Sequence, residues 1–279
     1  MARHSFSISK GLLFWIIAVI ITLFAAIYQR TTGPTYPVSG TVTFQGTRIS
    51  YELERSHGGA GDQPVQLTVP DTSILGILDY RLYPTQEPWT TKKLKREGAQ
   101  LVGSLPHQPP AGKIEYRIIL KKGNTQIGIP KKEAVVTRFK GTVPLGVLIP
   151  HVLFMFLAML LSTRTGLEAL FRPEGKLKTY TYWTLAFLII GGFIMGPLVQ
   201  KFAFGALWTG APFGWDLTDN KTLIALVGWI IALIAVIKKG RAGRWWVVLA
   251  SVVMIAIFLI PHSMHGSELK YDKAGNVIR

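Results

Sequence analysis

Five stretches of this chain, residues 11–28, 143–161, 182–199, 222–237 and 245–260, consist almost wholly of apolar side chains. As helices rising about 1.5 Å per residue they approach or exceed what is needed to cross about 30 Å of hydrocarbon. A chain with 49% hydrophobic and only 16% charged residues is too apolar for an ordinary water-soluble domain, so the segments predict membrane-spanning helices. The first follows Arg3 and Lys10. Its apolar run is longer than a secretory signal core and no small-residue cleavage site closes it, so it is expected to remain as an anchor. The fourth and fifth are joined by the short basic link 238–244, which predicts an antiparallel helical hairpin.

Lys and Arg beside membrane segments are retained on the cytoplasmic side. Arg3 and Lys10, then Arg164, Arg172, Lys176 and Lys178, then Lys238, Lys239, Arg241 and Arg244 occupy alternate connections. Five crossings from a cytoplasmic N-terminus put residues 31–142, the connection 201–221 and the C-terminal tail outside a bacterial-type inner membrane. The charge excess, 31 Lys+Arg against 15 Asp+Glu, borders apolar segments and fits lipid as a partner. Nucleic acid is not expected on the outer face.

Residues 31–142 follow a different pattern. In 112–120, apolar Ile114, Tyr116, Ile118 and Leu120 alternate with mostly polar neighbours, the period of a half-buried strand. Similar runs occupy 40–53, 65–69, 77–83, 99–104, 125–129 and 134–139, separated by turn-forming clusters at 58–62 and 106–112. About seven short strands predict an antiparallel β-sandwich. Tyr116 is then either a corner tyrosine or a core residue. The basic run 92–96 fits a solvated edge or a surface that steers an acidic partner, and His57 and His107, beside Gly- and Pro-rich turns, read as surface residues. The fold class expected is an α-helical integral membrane protein of about five transmembrane helices with an inserted extracytoplasmic β-sandwich. Its parts are an anchor at 1–30, the sandwich at 31–142, a four-helix membrane domain at 143–267 with the external loop 201–221, and a tail at 268–279.

The absence of cysteine excludes disulfides, thiolate metal sites, iron–sulfur clusters and covalent haem attachment through Cys-x-x-Cys-His. No phosphate loop, dinucleotide fingerprint, His-Glu-x-x-His helix or nucleophile elbow is present, so no catalytic constellation is visible. What stands out is the loop from Gly205 to Asp216, containing Trp208, Gly210, Phe213, Gly214 and Trp215, with His151 before it and His262 and His265 after it. Indoles and glycines can form a flat apolar shelf, and distant imidazoles can supply axial nitrogens to an iron porphyrin held there. Taken singly, Trp208 and Trp215 also fit an interfacial aromatic belt. His151, two turns into an apolar helix, reads either as a ligand or as an interhelical hydrogen-bond partner. Asp216 reads as a helix cap, a role for which Asp219 and Asn220 compete.

The order Pro150-His-Val-Leu-Phe-Met155, then Gly205-Ala-Leu-Trp208 with Gly214-Trp-Asp216, then His262-Ser-Met-His-Gly-Ser267 resembles the tryptophan-rich (WWD) haem-handling membrane proteins of cytochrome c assembly. The likeness spans residues 145–267, with Phe213 where a further indole would stand. It implies axial haem ligation by His151 and His265, with His262 as the alternate second ligand. It further implies that Trp208, Phe213, Gly214 and Trp215 line the shelf while Asp216 orients the loop. The expected function is non-covalent haem binding or haem handling at the external face, in cytochrome c maturation or as a membrane subunit of an electron-transfer complex, with protein partners that include a cytochrome. The alternative is a cofactor-free structural subunit whose sandwich docks a larger extracytoplasmic protein.

Overall fold

The computed structural model describes residues 9–172, 175–262, 269–271 and 277–278. The chain divides into two compact units: Met1–Gly33, Val143–Lys201 and Ala206–Gly266 in one, and Pro34–Thr142, Phe202–Gly205 and Ser267–Arg279 in the other.

The first unit is helical. Its elements are α1 (Lys10–Thr32), α2 (Leu145–Phe171), α3 (Leu177–Leu188), a π-helical segment (Ile189–Met195) leading into α4 (Gly196–Phe204), α5 (Leu217–Lys239) and α6 (Arg244–Leu259). Among the described residues four helical runs, not the expected five, are long and apolar enough to cross a membrane: Lys10–Thr32, Leu145–Phe171, Leu177–Phe204 and Leu217–Leu259. The count differs because a 3-10 turn at Gly240–Gly243 keeps α5 and α6 within one 43-residue helical run, and α6 alone has 16 residues. Gly240 adopts a φ of 51° there, a left-handed conformation that a residue without Cβ reaches without strain. The two arms fold back on each other, with Gly228 beside Ala250 and the Lys221 ammonium on the Ile260 carbonyl.

Trp229, Ala232, Met159, Ala158, Ala250 and Met254 form the core of this unit. Alanines recur in it, and small residues permit close helix approach: a Cβ at Gly191 would lie 3.0 Å from the Met155 backbone nitrogen. Large side chains such as Ile20, Phe24, Ile27, Ile149 and Ile224 point outward and are exposed. Near the far end of α2, Arg164 and Glu168 form a buried ion pair at 2.6 Å, each side chain 3% exposed. The guanidinium carbon lies 5.3, 5.5 and 4.8 Å from the ring centroids of Phe14, Trp15 and Tyr180. Aromatic faces and the carboxylate thereby replace the water that a buried cation loses.

The second unit carries a β domain. Strands β1 (Val38–Phe44) and β2 (Thr47–Leu53) form a hairpin whose turn residues, Gln45 and Gly46, both have positive φ, 50° and 80°, matching the right-handed strand twist. A larger sheet runs β3 (Ser56–Gly58), β11 (Val135–Lys140), β9 (Lys113–Lys122), β5 (Leu75–Leu82), β6 (Thr90–Lys93), with β10 (Thr125–Ile129) also on β9. A third sheet runs β4 (Gln63–Thr68), β8 (Gln100–Leu105), β7 (Lys95–Glu97). All pairings are antiparallel except β3 with β11. One core gathers residues from all three sheets, including Ile49, Leu67, Leu78, Leu101, Ile114, Ile118, Leu120 and Phe139, which gives the sandwich-like layering. The chain changes sheet at buried Leu94, between β6 and β7.

Tyr116 is fully buried and donates to the Glu54 carbonyl at 2.8 Å, 62 residues away. A corner tyrosine bonds a few residues upstream, so Tyr116 is instead a core residue that fastens the end of the β2 segment to the large sheet. Thr137 donating to Gln63 at 2.7 Å fastens β11 to β4 in the same way. Lys122 and Ser73 hold the Asp71 carboxyl well below the usual carboxylate range.

Two outcomes test these contacts. Glu168→Ala strands a buried guanidinium and should destabilise the detergent-solubilised protein by about 3–5 kcal/mol in chemical denaturation. Because Asp71 titrates lower in the folded than in the unfolded chain, its contribution is complete above about pH 4 and declines as pH falls further. Thermal melting between pH 2 and pH 7 should show an acid limb that Asp71→Asn flattens.

Candidate functional site

At one end of the helical unit the start of α2, the loop 206–216, the start of α5 and the end of α6 come together. The π-helical segment sets the first feature. Its carbonyl at Gly191 accepts the usual π bond from the Gly196 backbone N–H and also receives His151 Nδ1 at 2.9 Å. A carbonyl only accepts, so Nδ1 carries a proton and Nε2 of the neutral ring keeps its lone pair. Gly196 packs beside the ring, where a Cβ would sit 3.6 Å from His151 Cε1, in ordinary van der Waals contact. His151 thus makes the interhelical hydrogen bond and still offers one nitrogen, so the two sequence readings of this residue are compatible.

The loop is held from α5. Asp216 caps the helix, its Oδ1 accepting from the Thr218 and Asp219 amides at 2.8 and 3.3 Å. Asp219 does not compete for the cap. Its buried Oδ2 accepts from the Thr209 amide at 2.6 Å, the Gly210 amide at 2.9 Å, Gln200 Nε2 at 3.1 Å and the Thr209 hydroxyl at 3.3 Å. Asn220 Oδ1 adds the Ala211 amide at 2.7 Å. The carboxylate one turn into α5 is therefore the group that orients the loop, while Asp216 terminates the helix. Gly210 is required by this fit, because a Cβ would come within 2.5 Å of the Asp219 Cβ.

The aromatic residues divide. Trp208 is half-buried, stacks on Phe193 at 5.6 Å with a 30° interplanar angle, and donates Nε1–H to the Ala211 carbonyl at 3.1 Å. Phe213 and Trp215 are 82% and 90% exposed, flanking half-buried Gly214. They stand on the surface of the loop, while the ring that Trp208 stacks on is Phe193.

His262 follows α6, keeps an accessible surface, and lies within electrostatic reach of Lys221 and His151. Its imidazole is held below the ordinary value, first by the density of protein around it, then by the positive charge of Lys221 and by His151. His265 lies outside the described residues. Lys221 escaped the sequence reading because it directly precedes an apolar run and looks like a flanking residue. It is buried, and its ammonium donates to the Ile260 carbonyl at 2.6 Å. Gln29 from α1 serves the same helix end, donating to Phe258 and Ile260 at 3.0 and 3.4 Å. The signal available was a single lysine one helical turn after a capping aspartate. The described residues contain no group of three or more His, Asp or Glu arranged around a common metal position.

Removing the Asp219 carboxylate should release the loop without unfolding the helices. Asp219→Ala is expected to speed amide hydrogen exchange at Thr209 and Gly210 by at least tenfold, with a global cost of about 2–4 kcal/mol; unchanged exchange at those two amides would refute the latch.

In comparisons with known proteins, no family model, no curated protein and no solved structure matches this chain.

Proposed function

We propose that this chain is a membrane-embedded haem-binding or haem-handling protein, acting at the external face in cytochrome c maturation or within an electron-transfer complex. The observation that carries this reading is the state of His151. Its Nδ1–H is tied to the Gly191 carbonyl at 2.9 Å, the second bond that metal-ligating imidazoles make to fix their tautomer, and Nε2 is left as a donor in an apolar setting. The proximity of His262 to His151 and Lys221 supports a second nitrogen from the end of α6, supplied by His262 or by His265, as the resemblance to the tryptophan-rich family implies. Trp208, backed by Phe193, offers an apolar surface beside the loop, and the buried Lys221 ammonium suits the carboxylates of a porphyrin.

Bound haem would supply one-electron chemistry, or be passed on to an acceptor, according to how firmly the second axial ligand is held. The chain's own residues do the rest. His151 orients a nitrogen, Asp219 fixes the loop, and Lys221 holds positive charge close by. The basic connections would face the cytoplasm and this end of the helices the outside. The outward-facing apolar side chains of α1, α2 and α5 would then meet lipid, where isolated exposure of that extent in water is unfavourable.

A second reading is a structural subunit with no cofactor. The exposure of Phe213 and Trp215 favours it, since two bare aromatics on a braced loop suit a protein or lipid interface as well as a tetrapyrrole. Purification from haem-replete cells separates the two. The first predicts a Soret band that His151→Ala abolishes, with His262→Ala and His265→Ala showing which imidazole completes the site. A colourless preparation that binds no added haemin, and copurifies with a stoichiometric partner lost in a Phe213→Ala/Trp215→Ala variant, would establish the second.

A further inference from the structure

Two histidines of the β domain, unused by the reading above, converge on one atom. His57 Nε2 lies 3.2 Å and His107 Nδ1 3.0 Å from the carbonyl oxygen of Gly61. Both rings stand edge-on to the same buried Phe139 ring, with centroids at 5.4 and 5.7 Å and interplanar angles of 73° and 88°. The pairing is set by the fold. His57 sits on β3, which runs parallel to β11 and opposite Phe139, and His107 follows β8.

The segment between them is shaped to present that oxygen. Gly59 and Gly61 have φ of 95° and 125°, values that only glycine adopts without strain, and nothing lies within 4 Å of where a Cβ would be. Asp62 anchors the segment to the β8 end, accepting from the His107 amide at 2.9 Å and the Ser104 hydroxyl at 3.1 Å. The Asp62 carboxylate thereby stands one residue from the convergent oxygen. His107 is exposed, which leaves an approach from solvent.

As they stand, both contacts are hydrogen bonds from ring N–H groups to the Gly61 carbonyl, and their lengths also match the edges of a coordination polyhedron. With metal–nitrogen and metal–oxygen bonds of about 2.05 Å, two ligand atoms are about 2.9 Å apart at a right angle and about 3.4 Å apart at a tetrahedral angle. The observed 3.0 and 3.2 Å fall between these limits. Two imidazoles and a carbonyl suit a borderline divalent ion, and the affinity order of such sites places copper(II) first. We propose that His57 Nε2, His107 Nδ1 and the Gly61 carbonyl oxygen bind a divalent transition-metal cation, copper(II) most tightly, with water completing the shell. Each neutral ring would then carry its proton on the nitrogen facing away from the metal.

The test uses the full chain in detergent micelles, in a His4→Ala background so that the amino-terminal segment does not compete for copper. Copper(II) titration should show one site of micromolar affinity, with electron paramagnetic resonance resolving coupling to two imidazole nitrogens. His57→Ala and His107→Ala should each weaken binding at least tenfold, and the double variant should abolish the site while leaving the far-ultraviolet circular dichroism and any Soret band unchanged. In wild-type protein, copper(II) and zinc(II) should both raise the melting temperature of the β domain, copper more at equal concentration. A wild-type spectrum with fewer than two coupled nitrogens, or undiminished affinity in the double variant, would overturn the proposal and leave the rings as ordinary hydrogen-bond donors to Gly61.

Discussion

Where a helix ends or changes pitch inside an apolar unit, backbone groups lose their partners, and leaving one buried and unpaired costs more than most single contacts return. The end of the helical unit that holds the candidate site is built around this constraint. The π-helical segment shifts the bonding frame, and the Gly191 carbonyl takes His151 in addition to Gly196. The last carbonyls of α6 are met by Gln29 and Lys221, and the loop amides at 209–211 by Asp219 and Asn220. Polar side chains that an apolar surrounding would otherwise exclude are there because the backbone needs them.

That origin explains why structure and candidate chemistry coincide. A neutral histidine that donates to a carbonyl through Nδ1 presents Nε2 as an acceptor. A lysine reaching a helix end carries its charge into the same space. The buried carboxylate of Asp219 holds three donors of the loop and one from Gln200, so the loop that bears Trp208 is rigid where it meets the helices while its outer aromatics stay free. Preorganisation of this kind lowers the ordering cost of binding a planar ligand or a protein partner.

The other end of the helical unit solves a different problem with different groups. Arg164 is balanced by Glu168 one turn along the same helix and by aromatic faces from α1 and α3. The compensation is internal to the unit and leaves Arg164 Nε without a hydrogen-bond partner among the described residues. The β domain relies on apolar packing among three sheets, with Tyr116 and Thr137 as isolated polar fasteners between layers. Its histidine pair owes its geometry to strand order, since β3 pairs with β11 far along the chain.

The sequence by itself determined which segments are apolar helices, that residues 112–120 alternate as a strand buried on one side, and that the hairpin 238–244 must turn back. These follow from local periodicity and from the reach of a short link. It also marked His151 as unusual, because a polar ring costs free energy in an apolar helix unless something offsets it. Only the tertiary structure decided what offsets it, since the Gly191 carbonyl lies 40 residues away. It likewise separated the neighbouring carboxylates: Asp216 as cap and Asp219 as latch differ by one helical turn of direction, which spacing alone does not resolve. Lys221 and the pairing of His57 with His107 were invisible for the same reason. Their meaning depends on partners distant in the chain and brought near by packing, and no local pattern encodes that proximity.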